Sequence, residues 1–442
     1  MSEKKSMKQD KLPRRPTGTR DLVGEHYLLV QGFFEKAAEI ALYYDFSPIE
    51  TPTLEESAIF MTGLGEDTDI VSKEMYTLKT KGGSQLAMRP EGTAGVMRAY
   101  IENGMQSLPQ PVKLYYAGSF FRHERPQRGR WREFKQFGIE VLGAPKSIAD
   151  AMVVMILMKI LEEAGCSRLS VQLNSIGDRD CRTNYRRALV AYYRKHISDL
   201  CEDCKERLKT NPLRLLDCKN EKCVQLKTSA PDTLGHLCVA CREHFTEVLE
   251  YLETLGINYT LNNSLVRGID YYSRTVFEIL EEVTVPAEEN ASEHKTVPLA
   301  VAGGGRYDYL ARALGGKKDV AAVGGSIGVD RALELCSIKH LMPRIVKKPK
   351  AYFIQLGFEA KLHSLIITEI LRKAHIPIAH SLAKDSLSAQ LATAEKLSIP
   401  YAIILGQKEV IDNTVIIRTM ETRSQEVVPV PELLAYVKRE LK

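Results

Sequence analysis

No stretch of this 442-residue chain approaches the roughly 18 apolar residues of a membrane span, so no transmembrane helix is expected. The opening MSEKKSMKQDKLPRR is basic but lacks the apolar run of a secretory signal, and its Glu3 and Asp10 count against a transit peptide. The chain is therefore expected in the cytoplasm, with its nine cysteines reduced and no structural disulfides. Charge of one sign is also scarce: a net +5 is too small to argue for a nucleic-acid partner by itself. With 44% hydrophobic and 26% charged residues, what remains is an ordinary globular composition, long enough for two or three domains with their own cores.

What is present is local. LVRGIDYYSRTVFE, from Leu265 to Glu278, packs two arginines, an aspartate and a Tyr-Tyr pair into an alternating run that reads as a strand offering cations and phenols to a small charged ligand. Phe121 to Gly143, FRHERPQRGRWREFKQFGIEVLG, places an arginine-dense loop around Gly129 between two β-prone segments, the pattern of a long antiparallel hairpin. From Arg122 to Lys135 it carries five arginines and one lysine against Glu124 and Glu133, a concentrated site for phosphate. GGSIGVDRALEL, from Gly324, runs from a glycine pair into a helix with Arg331 near its start. A solvated loop and an ordinary turn are the plain readings of the last two motifs, and only their joint occurrence says more.

Along the chain, Glu25 to Tyr44 has helical apolar spacing and is followed by a short strand around Phe46 to Thr51 and then Pro52. Strand candidates recur at Met75 to Leu78, Gln85 to Met88, Val112 to Phe121, Phe134 to Leu142, Val171 to Asn174, Thr275 to Leu280, Val297 to Val301 and Ala322 to Ile327. The expected fold is α+β: a catalytic domain at 21–341 with an antiparallel sheet and helices on one side, following a polar tail at 1–20. A mostly helical insertion at about 184–254 holds six of the nine cysteines. MPRIVKKPK at 342–350 reads as a linker, and 351–442 as a small α/β domain with a largely parallel sheet and nearly balanced charge.

Taken in order, the hairpin and the Gly324 segment resemble the second and third signature motifs of class II aminoacyl-tRNA synthetases. With LVRGIDYYSRTVFE and AVAGGGRYDYL at Ala300 to Leu310, the resemblance narrows to the histidyl-tRNA synthetase family and runs from about Pro13 to the C-terminus. It implies ATP-dependent activation of L-histidine to histidyl-adenylate and transfer to tRNA(His), with release of pyrophosphate and AMP and with Mg²⁺ on the ATP. The helix and strand ending at Pro52 resemble motif 1, implying a homodimer, and the last domain resembles the family's anticodon-binding domain.

The resemblance also implies residue roles. Arg122 matches the arginine at the α-phosphate, Glu124 the position near the adenine amino group, and Arg331 the arginine near the γ-phosphate. Arg267 matches the family-specific arginine beside the α-phosphate, so Arg122 and Arg267 are the catalytic candidates. In RPEGT, Glu91, Gly92 and Thr93 would meet the α-ammonium of histidine, with Gln136 and Glu140 beside it. Tyr271 and Tyr272 match ring-contacting positions, Tyr307 lies near the same pocket, and Tyr272 and Glu140 are the candidates for the imidazole. Gln127 and Arg128, in RPQRGR, would meet the tRNA acceptor end. Tyr309 stands where the family usually has glycine and receives no role.

Two C-x-x-C pairs, Cys201 with Cys204 and Cys238 with Cys241, stand 33 residues apart and suit a structural four-thiolate Zn²⁺. Cys218 and Cys223, between them, are able to replace a ligand or add a second, partial site, and a set of plain reduced thiols is the alternative. Two other functions compete: a non-catalytic, histidine-binding regulatory subunit of histidine biosynthesis, and an RNA-binding module with a degenerate core. The retained Arg122, Arg267 and Arg331, with the domain after the linker, speak against the first, and the intact substrate positions against the second.

Overall fold

A computed structural model describes residues 14–65, 68–125, 129–218, 220–266, 269–286, 294–336, 338, 341–344, 348–381 and 383–440. Two compact units divide the chain after Pro343. The first is built on an eight-stranded sheet. In chain order its strands are β1 (Ser47–Pro48), β2 (Val112–Phe121), β3 (Glu133–Leu142), β4 (Leu169–Ser175), β5 (Tyr259–Leu261), β6 (Ser273–Pro286), β7 (His294–Arg306) and β8 (Ala322–Gly328). They lie side by side as β1-β2-β3-β8-β7-β6-β4-β5, with every pairing antiparallel except the two short edge pairs, β1 with β2 and β4 with β5.

Strand periodicity sorts the residues of β3 between two environments. Phe137, Ile139 and Val141 are buried in a core shared with the helices on one side, while Gln136, Gly138 and Glu140 face the other side. The helices Gly24–Tyr43, Ile148–Ala164 and Val239–Thr254 close the first face. The last of these buries Cys241, Phe245, Val248 and Leu252 at helical spacing, leaving its other face wet. Helix Ile148–Ala164 ends where Gly165 takes the left-handed conformation, φ 114°, that its C-cap requires.

A guanidinium lies at the centre of this unit. Arg306, fully buried at the end of β7, donates to Asp150, to Asp308 at 3.1 Å and to the Ala144 carbonyl at 2.8 Å. His244 closes the network on Asp150 at 3.3 Å. A buried charge is tolerated only when paired and hydrogen-bonded in this way.

Between β4 and β5 the chain is helical, with Arg179–Lys195, Glu202–Thr210, Glu221–Lys227 and Val239–Thr254 as its α-helices. The second unit has a five-stranded sheet. Three of its strands are parallel, but Thr414–Thr419 and Gln425–Pro429 add antiparallel pairings, so its sheet is mixed and not largely parallel as expected.

Two further expectations fail. LVRGIDYYSRTVFE is not a strand throughout: β6 begins only at Ser273, and Asp270 and Tyr271 form a turn. On a strand, adjacent tyrosines would point to opposite faces, whereas the Tyr271 and Tyr272 rings pack edge to face at 4.7 Å. The expectation of fully reduced cysteines also fails at one pair, for Cys166 and Cys336 are joined by a disulfide. Each follows a helix of the core, Ile148–Ala164 or Val329–Leu335, and the two helix ends bring their Cα atoms to 5.1 Å. Compartment governs whether such a bond persists, not whether the fold brings the pair together.

Candidate active site

On the open face of the sheet, a cavity of about 210 Å³ lies above β3, β8 and β7. Behind its lining residue Thr93 lies Glu140, fully buried on β3. The Thr93 hydroxyl donates to Glu140 Oε1 at 2.7 Å, and the Tyr307 hydroxyl bonds Oε2. Directly across the ladder stands Gly324, where a Cβ would overlap the Glu140 carboxylate. The glycine pair of GGSIGVDRALEL therefore lies in β8 to let a carboxyl sit against the strand; it is not a turn before the helix.

Burial raises the Glu140 pKa to about 8, so this side chain is mainly protonated at neutral pH. Burial, followed by nearby carboxylates, also holds the Tyr116, Tyr271 and Tyr307 phenols well above their ordinary range. Glu91 is raised by burial too, although the Thr93 and Ala94 backbone N–H groups donate to it at 2.7 and 2.8 Å and oppose the rise. Those donors open the helix Thr93–Glu102, so Glu91 serves as its cap. The Tyr271 hydroxyl reaches Glu91 at 3.3 Å.

RPEGT thus turns one carboxylate into a helix cap, while Thr93 reaches the Glu140 carboxyl. Gly92 belongs here for a steric reason, since a Cβ would come 2.6 Å from the Tyr116 hydroxyl. Gln136 lines the same cavity, and its buried Oε1 has no partner among the described residues. A buried acceptor left open beside a polar cavity is where a ligand donor fits.

Arg122, Arg130 and Arg331 border this cavity and also line an adjoining one of about 150 Å³ that holds Glu124, Phe134 and Trp131. Arg122 is held by the Pro90 carbonyl at 2.9 Å and lies 5.6 Å from the centre of the Phe134 ring. Burial and then the neighbouring Arg130 charge push Arg331 below its ordinary pKa, and its buried Nε has no partner among the described residues. Arg130 and Arg331 thus put two guanidiniums side by side along one wall. Glu124 receives Arg130 at 2.9 Å and lies 3.8 Å from Arg122.

The structure therefore brings Glu91, Thr93, Gln136, Tyr271 and Tyr272 around one cavity, with Glu140 and Tyr307 bonded behind Thr93 and Gly92 packed against Tyr116, and Arg122, Glu124 and Arg331 around its neighbour. Arg267, Gln127 and Arg128 lie outside the described residues. The four cysteines of the two C-x-x-C pairs do not come together: Cys201 and Cys204 join Cys218 and Cys223, while Cys238 and Cys241 join Asp178 and Cys181. The two pairs open different helices, Glu202–Thr210 and Val239–Thr254, and each meets whatever its own helix start faces. The sequence reading also missed Tyr116, and it counted Arg130 only within the arginine-dense loop without giving it a place at this cavity. Tyr116 pairs with Gly138 across the hairpin, so counting in register from Gln136 would have placed it on the site face.

An antiparallel sheet with a polar cavity on its glycine-bearing strands, an arginine on the long hairpin and another at the start of the following helix is the architecture of a class II aminoacyl-tRNA synthetase. Residues 18–332 match the histidyl-tRNA synthetase family and residues 350–440 the anticodon binding domain. The chain belongs to the histidyl-tRNA synthetase family. Relatives named histidine–tRNA ligase include one from Dehalococcoides mccartyi, 40% identical over 96% of this chain and 99% of the relative. Another, from Desulforudis audaxviator, is 41% identical over 97% and 99%. The apo histidyl-tRNA synthetase of S. aureus superposes with a TM-score of 0.78 at 30% identity, covering 97% of this chain and all of that one. A Bacillus halodurans structure described as an ATP phosphoribosyltransferase regulatory subunit/histidyl-tRNA synthetase, at 20% identity and TM-score 0.59 over 87% of this chain and 97% of that one, shows the fold alone.

Proposed function

We propose that this enzyme is a histidine–tRNA ligase: it joins L-histidine to ATP as histidyl-adenylate, expels pyrophosphate, and passes the histidyl group to tRNA(His), releasing AMP. The observation that carries this reading is the buried Glu140–Thr93–Tyr307 group beside the Arg122–Arg331 wall. It sets a polar pocket of amino-acid size against an anion site. A pocket built to hydrogen-bond two ring nitrogens rejects apolar isosteres far better than an apolar slot does. Glu140, neutral but able to donate or accept, suits an imidazole that offers one N–H and one bare nitrogen. Tyr272 is its partner at the ring, and Glu91, Thr93 and Gln136 take the α-ammonium.

The carboxylate oxygen then attacks the α-phosphorus while the bond to pyrophosphate breaks. Arg122 and Arg267 flank the phosphoryl group as charge builds on it, and Arg331 holds the γ-phosphate, with Mg²⁺ accompanying the ATP. Glu124 receives the adenine amino group. In the second step, Gln127 and Arg128 meet the acceptor end of the tRNA while the second unit binds its anticodon. The working form is a homodimer in the cytoplasm. Leu42 and Tyr43, which end the first helix, are exposed, as is an apolar stripe of Phe358, Leu362, Leu365 and Ile366, and both are surface suited to a second copy. The regulatory-subunit alternative is disfavoured because Arg122 and Arg331 border the cavity and an anticodon-binding match follows.

ATP–pyrophosphate exchange measured with each of the twenty amino acids tests this directly. Exchange should depend on histidine alone, and Arg267→Ala should cut it about a hundredfold. Exchange with another amino acid, or none with histidine, would overturn the assignment.

A further inference from the structure

Between β4 and β5 the chain gathers four cysteine sulfurs that adenylation does not use. The Sγ atoms of Cys201, Cys204, Cys218 and Cys223 all lie within 4.8 Å of one another, and none of the four is in a disulfide. Cys201 and Cys218 are 3.8 Å apart. In a tetrahedron with zinc–sulfur bonds of about 2.3 Å, sulfurs stand roughly 3.8 Å apart. The sequence spacing is C-x2-C-x13-C-x4-C, two short chelate loops joined by a modest span.

Backbone donors are already aimed at the sulfurs. Cys201 N–H points to Cys223 Sγ at 3.4 Å and Asn220 N–H to Cys218 Sγ at 3.5 Å. Such contacts stabilise the thiolate form that a metal needs. Cys204, Cys218 and Cys223 are buried, so the cluster is a closed site and not an open catalytic one.

Reduced thiols acting merely as small apolar side chains are the competing account. The surrounding structure argues against it. The thiols join a nine-residue helix, a six-residue 3₁₀ turn and a seven-residue helix, lengths at which helices do not hold themselves. A metal cross-link supplies what these pieces lack.

We propose that Cys201, Cys204, Cys218 and Cys223 bind one structural Zn²⁺ that pins this segment to the amino-acid pocket. Between Cys204 and Cys218 lies Asn211, whose side-chain amide donates to both Asp270 oxygens at 3.0 Å. Arg214, in the same loop, pairs with Asp69. Asp270 directly precedes Tyr271 and Tyr272, so the zinc node fixes the turn that carries the ring-contacting phenols. The second cluster differs. Asp178 caps the helix Arg179–Lys195 through Cys181 N–H at 2.9 Å and already receives the Cys238 and Cys241 thiols at 3.5 and 3.3 Å, so its groups satisfy one another.

The test is zinc content, by elemental analysis, of full-length protein purified without added metal, for wild type, Cys218→Ser, Cys223→Ser and Cys238→Ser. Wild type should carry zinc, and either of the first two substitutions should remove one equivalent that Cys238→Ser retains. Wild-type protein reloaded with Co²⁺ should show the sulfur-to-metal charge-transfer absorption of a tetrahedral thiolate site, a readout that needs no variant to fold. Chelation should speed hydrogen exchange in residues 201–227 and raise the KM for histidine several-fold while leaving that for ATP nearly unchanged. Zinc-free wild-type protein, or zinc that follows Cys238 and ignores Cys218 and Cys223, would overturn the proposal.

Discussion

The two ends of the active-site cleft handle charge in opposite ways. At the end proposed for the amino acid, Glu140, Thr93, Tyr307, Tyr271 and Glu91 are buried and bonded to one another, and burial drives the acids toward neutrality. At the end proposed for phosphate, Arg122, Arg130 and Arg331 stand beside one another, with Glu124 and Glu278 as nearby carboxylates and a buried Arg331 Nε left without a described partner. At the first end the acids are already partnered and only the Gln136 Oε1 lacks a described partner; at the second the guanidiniums outnumber the carboxylate paired with them. A preorganised neutral pocket suits selection among amino acids, and surplus positive potential suits charge that builds only in the transition state.

This contrast breaks most visibly at Arg122. Its guanidinium meets one backbone carbonyl, an aromatic ring and Glu124 at 3.8 Å, and on truncation Glu124 keeps Arg130 while Glu91 keeps its two backbone N–H donors. Arg122→Ala should cut histidine-dependent pyrophosphate exchange by about 3 kcal/mol, or roughly a hundredfold, with thermal unfolding nearly unchanged. A large loss of stability with little loss of rate would mean that the phosphate end is also structural.

At the other end, stability and selection should fail together. An added Cβ at Gly324 would overlap the Glu140 carboxyl and lie 2.7 Å from the Ile139 carbonyl oxygen. Gly324→Ala is therefore expected to destabilise the fold by about 1–3 kcal/mol, as overpacking does, and to raise the KM for histidine more than that for ATP. Urea unfolding and steady-state exchange check the two halves, and an unchanged histidine KM would show that Glu140 is remote from the ring.

What could be read from the sequence follows the same division. The hairpin strands, the helix Gly24–Tyr43 and the two arginines were legible because periodicity and local charge density are local signals. The turn at Asp270 and Tyr271 was not, because alternating composition reads as strand when the contact forcing both rings together is tertiary. Tyr116 was missed because its role depends on its register with Gly138, and the cysteine partition because loop-to-helix geometry, not spacing, decides which thiols meet. The Cys166–Cys336 bond joins residues 170 positions apart, beyond any local pattern.

The smallest effect at neutral pH, and the sharpest test of the neutral pocket, belongs to Glu140→Gln. A protonated carboxyl and an amide have nearly the same shape, and the Thr93 and Tyr307 hydroxyls can turn to donate or accept. The substitution should therefore cost about 1 kcal/mol or less at pH 6–7. Its signature lies in the pH dependence. In the folded chain Glu140 keeps its proton to about pH 8, whereas in the unfolded chain it releases it near the ordinary value of 4.5. Between those values the folded state binds the extra proton, so the contribution of Glu140 to stability is greatest below the lower value and is lost as pH rises through the higher one. Glu91, also raised, adds a slope of the same sign that the substitution leaves in place. Urea unfolding from pH 5 to 8 should thus show a shallower fall for Glu140→Gln than for wild type, while parallel curves would mean that Glu140 is ionised at neutral pH and that the amino-acid end is charged after all.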